Sequence, residues 1–216
     1  MSYYDYEYVA ESKELKSGFK VEVVNDSDPE NPVKNWDMVG TMVLIDRCRY
    51  NFGHESASYE ELEEIADDPN NIVLPVYMYD HSGITIRTSP FSCPWDSGQV
   101  GVMYCTKQKA VKEFGKKIVT QKVREAAIKC MVAEVESIDD YLTGNVYGFR
   151  VYDPEGEEID SCWGFFGDSK DCLESGLDSA RYHERQLMEE RRKNWRWALH
   201  EARENKYWAQ RDVVSI

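Results

Sequence analysis

Residues 72–105 read IVLPVYMYDHSGITIRTSPFSCPWDSGQVGVMYC, and this stretch decides the fold. Ile72–Tyr79 is apolar and rich in β-branched and aromatic residues, which predicts a strand. Pro75 cannot donate to a ladder, so that strand needs an edge or a bulge there. Asp80-His81-Ser82-Gly83 is a turn by composition, and Ile84–Thr88 returns as a second strand. A loop, SPFSCPWDSG, leads into Gln99–Cys105, a third strand. Upstream, Phe19, Val21 and Val23 alternate with Lys20 and Glu22, and MVGTMVLID (38–46) is apolar enough for a central strand. Ser58 and Glu61 form a capping box that opens a short helix ending before Pro69. Downstream lie a basic helix over 107–114, stopped by Gly115, and a longer one over 120–142 with Gly144 beyond it. In the longer helix Val123, Ala127, Cys130, Met131, Val135, Ile138 and Leu142 fall on one face. A hairpin over 145–163 and a helix over 178–211 complete the chain. Strands first and helices later predict an α+β domain with one mostly antiparallel sheet, helices packed on one face and a long C-terminal helix. The expected boundaries are a flexible N-terminal arm over 1–17, a core over 18–176 and a helical extension over 177–216.

The chain has 216 residues, with 26 basic and 40 acidic side chains and a formal charge of −14. That balance argues against a general binder of nucleic-acid backbone. The charge is uneven: −12 over 1–100, +6 over 101–130, −11 over 131–180 and +3 over 181–216. No apolar run approaches the ~18 residues of a membrane span. The opening MSYYDYEYVAESKELK has neither a basic leader nor an apolar stretch, so no secretory signal is expected. Six cysteines and four histidines show no metal-ligand spacing. The expectation is therefore reduced thiols, several of them packed as small hydrophobes, with no metal and no cofactor. Neither a Walker-type nor a Gly-x-Gly-x-x-Gly fingerprint is present.

Two loops flank the predicted strand 84–88 and hold most of the candidate chemistry. An enzymatic reading makes Cys93 a nucleophile, His81 its base and Asp80 or Asp96 the orienter. A five-residue strand spans about 17 Å, so the loops lie at opposite ends of it unless the second folds back. The simpler reading is a turn and a packed loop in which Trp95 is buried. A second cluster, YLTGNVYG (141–148) with DSCWG (160–164), sets glycines beside aromatics. It reads either as a close approach for a ligand or as a helix cap followed by a packed hairpin.

The runs LPVYMYDHSGITI (74–86), PFSCPWDSGQVG (90–101), DDYLTGNVYGF (139–149) and DSCWGFFG (160–167), with WDMVGTMV (36–43) and RYNFGHE (49–55), resemble a family of hypothetical proteins encoded by bacteriophages and related mobile elements. The resemblance covers about residues 18–170, and CPWDSGQVG is its most specific string. It implies a phage accessory product acting in a bacterial host cytoplasm, and it carries over no catalytic residue.

Two kinds of surface suit a protein partner. Glu157, Glu158 and Asp160, with the clusters at 60–68 and 134–140, offer carboxylates that compete with nucleic acid for a basic channel. In the C-terminal helix Arg191, Arg192 and Arg196 sit among Trp195, Trp197 and Trp208, residue types enriched in binding hot spots. Trp195 and Trp197 are two apart and cannot both face one core. The leading expectation is a non-enzymatic phage protein that binds and inhibits a host defence complex, of the anti-CRISPR or anti-restriction type. Its partner would be a host defence protein or ribonucleoprotein, with a homodimer through the C-terminal helix also open. The alternatives are a small-molecule or nucleotide-binding protein or enzyme using His81, Cys93 and Asp96, and a phage assembly accessory protein.

Overall fold

A computed structural model describes residues 8–212, with side chains as far as Lys206. In chain order the elements begin β1 (Val9–Glu14), β2 (Lys20–Asn25), α1 (Pro32–Asn35), β3 (Thr41–Ile45), β4 (Glu55–Ala57) and α2 (Tyr59–Asp67). There follow β5 (Asn71–Asp80), β6 (Ile84–Arg87), β7 (Ser97–Thr106), α3 (Lys107–Glu113), α4 (Gln121–Thr143), β8 (Val146–Tyr152), β9 (Glu158–Phe166) and α5 (Ser169–Asp212). The chain is an α+β protein, and it divides into two compact units. One takes residues 25–147 and 164–168. The other combines, of the described residues, 8–24, 148–163 and 169–212.

The first unit is built on a five-stranded sheet of order β4-β3-β7-β5-β6. All its neighbours are antiparallel except β3 and β4. Pro75 lies opposite Val102 of β7, β6 pairs with β5 only from Tyr77 onward, and the register shifts between Val76 and Tyr77. The proline thus sits beside a bulge and outside the reach of β6, as its missing N–H requires. The helix α4 is capped by Thr120, whose side chain accepts from Val123 N–H, and it ends at Gly144 with φ of 78°. Its expected face is realised: Val123, Ala127, Met131, Val135 and Ile138 are buried with Met42, Leu44, Ile72, Val76 and Met103. The opposite face of the sheet carries a smaller cluster, where Val43 and Val102 meet Leu62 of α2. The Ser58–Glu61 capping box is present, with both reciprocal hydrogen bonds.

The other unit is built on a four-stranded sheet, β1-β2-β8-β9, with α5 packed against β1. Val21, Val23, Phe149, Val151, Cys172, Leu177 and Ala180 are buried in it. Strand content therefore forms two sheets where local patterning predicts one. The expectation of an arm over 1–17 is corrected for Val9–Glu14, which pair antiparallel with β2 across a bulge at Val9/Glu11. That strand is mixed and mostly exposed, so its pairing came without an apolar signature. The C-terminal helix likewise begins at Ser169, eight residues before the expected extension, because Cys172 and Leu177 are buried on its first turns.

Candidate functional site

The two loops of the enzymatic reading come together. Antiparallel pairing of β5 with β7 puts Tyr79 opposite Ser97, so the long loop after β6 folds back to the Asp80–Gly83 turn. Asp80 N–H donates to the Asp96 carbonyl at 2.8 Å, and Tyr50 Oη donates to Asp80 Oδ2 at 2.9 Å. Ser97 Oγ donates to the Cys93 carbonyl. Arg87 Nε donates to the Ser89 carbonyl at 2.9 Å, and its guanidinium lies 3.9 Å above the Phe91 ring. Phe91 stacks on Tyr79 at 5.6 Å, and Tyr79 stacks on His81 at 5.9 Å. Ser82 turns the chain with φ of 61°.

This arrangement does not make a triad. Cys93 Sγ lies 3.6 Å and His81 Nδ1 3.7 Å from the same oxygen, Asp96 Oδ2. The carboxylate occupies the middle, where acyl transfer needs the base between nucleophile and orienter. The His81 and Asp96 side chains are also 67% and 42% exposed, so water screens their attraction. The expectation that Trp95 is buried is corrected: it is 91% exposed. Bracing falls to Arg87, Asp96 and Ser97, which hold the loop from beneath and leave the indole pointing away from the protein.

In the second cluster the glycine side is closed, while Ser161, Cys162 and Trp163 are exposed. Trp163 lies over Gly148, and a Cβ there would come 2.2 Å from its Cε3, so the space beside the glycine is filled by the hairpin's own ring. Arg150 stands 5.4 Å from that ring and 3.6 Å from Glu158 Oε2. Glu157 is exposed. Asp160 faces inward to α5: Oδ2 accepts from Ser179 Oγ and lies 3.7 Å from His183 Nε2, while Oδ1 accepts from Ser161 N–H at 3.0 Å. It is a brace between β9 and α5 rather than a free surface carboxylate.

The acidic runs divide in the same way. Glu60, Glu61, Glu63, Glu64, Asp67 and Asp68 are exposed on α2. In α4, Glu134 is turned inward and accepts from the N–H groups of Val39 and Gly40, the latter at 2.9 Å, and burial pushes its carboxyl above the ordinary range. Asp139 accepts from Ile86 N–H at 2.7 Å and from Thr85 Oγ1 at 3.1 Å. These two tie α4 to the β3 entry and to β6. His54 is a further internal acceptor: its Nδ1 takes the Met42 N–H at 2.9 Å, and burial, then the nearby Lys109, lower its pKa. Glu134 and Asp139 are corrected from members of an acidic surface cluster to internal acceptors, and His54 gave no signal at all, since a side chain that accepts from a distant backbone N–H leaves no local pattern.

The far part of α5 is the most open surface. Arg191, Arg192, Arg196 and every other residue over 188–206 are exposed. Trp195 and Trp197 are 66% and 67% exposed, and Met188 and Leu199 are exposed beside them. On the earlier turns of the same helix Leu177 and Ala180 are buried. Trp208 lies outside the described side chains. Removing from water the roughly 150 Å² that each indole exposes is worth on the order of 4 kcal/mol, an upper bound.

All six cysteines are free thiols, with Cys105 and Cys172 buried as small hydrophobes. Burial pushes the Cys172 thiol up to about 12. Among the described residues no group of three His, Cys, Asp or Glu side chains is placed to hold a metal ion, and no helix is long and apolar enough to cross a membrane. No protein family, curated protein or solved structure matches this chain.

Proposed function

We propose that this chain is a non-enzymatic binding protein that blocks a host defence complex through the far part of α5. The observation that carries the reading is the exposure of residues 188–206 on every side of the helix, with two tryptophans among four arginines. This stretch has no buried face, and helices in proteins draw most of their stability from one. Tryptophan and arginine are also the side chains that dominate binding energy at protein interfaces. The likeness of its motifs to phage-encoded proteins directs the search toward nuclease-based host defences. The placement of Asp96 between Cys93 and His81 favours binding over acyl-transfer chemistry at the loops.

The test is phage plating on hosts carrying a CRISPR effector or a restriction nuclease, with and without the protein. Protection by the wild-type chain and by Cys93→Ala, lost in Trp195→Ala/Trp197→Ala, is the expected pattern. Absence of protection across the panel, or its loss in Cys93→Ala alone, overturns the reading.

A further inference from the structure

The segment from Gly101 to Cys130 holds eight cations and two carboxylates within a chain of net −14. Two of the cations are engaged or half-buried: Lys109 Nζ donates to the Met38 carbonyl, and Lys107 is half-buried. The other six, Lys112, Lys116, Lys117, Lys122, Arg124 and Lys129, are exposed. None of these six has a carboxylate within ion-pair distance among the described residues, although the chain carries 40 acidic side chains. They extend from α3 through the connecting loop to the third turn of α4. Lys122 and Lys129, seven residues apart, share the outward ridge of α4, directly opposite its buried face. Arg124, three residues before Ala127 and seven before Met131, lies at the exposed N-terminal end of the buried stripe, where it borders with Lys107 and Ile118 a depression of about 390 Å³. The first turn of α4 contains no acidic residue and carries Lys122, against the preference of a helix start for negative charge.

We infer that this surface binds the phosphate backbone of nucleic acid, weakly and without sequence preference. Five of the six free cations are lysines, which are depleted from protein–protein interfaces but serve as point charges for phosphates. The exposed apolar residue between them, Ile118, is aliphatic, and the ring between them, Phe114, is half-buried against the core, so no free ring is offered for base stacking. Backbone neutralisation without base reading is what remains. The overall negative charge then keeps the contact short and easily removed by salt. This inference does not depend on the role proposed for α5, which lies in the other unit.

The experiment is fluorescence anisotropy of a labelled DNA duplex of about 20 base pairs with the full chain, from about 20 to 200 mM salt. Saturable binding is expected at the low end, with log affinity falling against log salt at a slope of about −3, as for three or four neutralised phosphates. Lys116→Glu/Lys117→Glu/Arg124→Glu should weaken binding by about tenfold or more, and Lys122→Gln/Lys129→Gln by a smaller factor. Circular dichroism and melting of each variant establish that it is folded. Arg191→Glu/Arg192→Glu/Arg196→Glu on α5 should leave the affinity within about twofold. Absence of binding at the lowest salt overturns the inference. So does equal competition by a poly-glutamate peptide, or loss of binding in the α5 variant with the segment variant unaffected. If α5 variants lose protection from host nucleases while duplex binding persists, the two readings are separated.

Discussion

Glu134, in the middle of α4, accepts the backbone N–H of Gly40 at 2.9 Å across 94 positions of sequence, and its other oxygen accepts from Val39. A Cβ at Gly40 would lie 2.5 Å from Met103 Cε, the movable end of that side chain. The carboxylate therefore fastens the chain entering β3 to the helix that covers the sheet. Glu134→Ala leaves two N–H groups without their acceptor and should cost about 2–4 kcal/mol, while Glu134→Gln, which keeps one acceptor, should cost about half as much. Urea unfolding reads this as a lower midpoint with unchanged slope.

His54 should make stability fall on mild acidification. Its Nδ1 accepts a hydrogen bond, so the folded state favours the neutral ring, and burial lowers its pKa below 6.5. The unfolded chain then binds more protons between that lowered value and about 6.5, and stability rises with pH through this window. Below it the contribution is gone. Thermal melts at pH values on either side of 6.5 should show a larger drop for the wild type than for His54→Gln, which retains an acceptor but does not titrate.

Cys172 acts at the other end of the scale. Its buried thiol is pushed up to about 12, above the ordinary thiol value, so the folded state holds its proton where the unfolded chain releases it. Stability should decline as pH rises through about 9 toward 12, and Cys172→Ala should flatten that decline. Denaturant midpoints measured across the alkaline range decide the matter.

Two glycines are set by close approach. At Gly101, in β7, a Cβ would lie 2.1 Å from the Val43 carbonyl oxygen, where only backbone faces it. Gly101→Ala should destabilise by about 3 kcal/mol or more, because neighbouring strands must separate. Gly148→Ala meets the Trp163 ring instead, which can rotate, so a cost of about 1–2 kcal/mol with altered tryptophan emission is expected. Reversal of that order would show that the hairpin is the tighter of the two.

Elements with local signals were legible in sequence. The Ser58 capping box, the Thr120 and Gly144 ends of α4 and its five buried apolar positions follow from spacing within a few turns. Pro75 announced its bulge for the same reason. What escaped was decided at long range. Periodicity does not say which strand pairs with which, so β2 and the 145–163 hairpin were placed in one sheet with β5 and β7 instead of forming their own. The meeting of His81, Cys93 and Asp96 depended on the β5–β7 register, and composition alone suggested a buried Trp95. Asp160 read as surface charge because its partners, Ser179 and His183, lie on a helix about twenty residues away.

The chain order of the two units has a consequence for synthesis. The unit holding β3–β7 and α4 is continuous over 25–147 apart from five later residues, so it can take shape while the rest is still being translated. The other sheet cannot, because β2 is the neighbour of β8, made some 120 residues later. At about 5–20 residues per second, β2 waits roughly 6–24 s on the ribosome with one edge unpaired. Until α5 emerges, Val21, which its Gly176 approaches, also lacks its cover. The nascent chain thus carries an open strand edge through most of its synthesis, and the yield of native protein depends on what shields that edge until the last helix arrives.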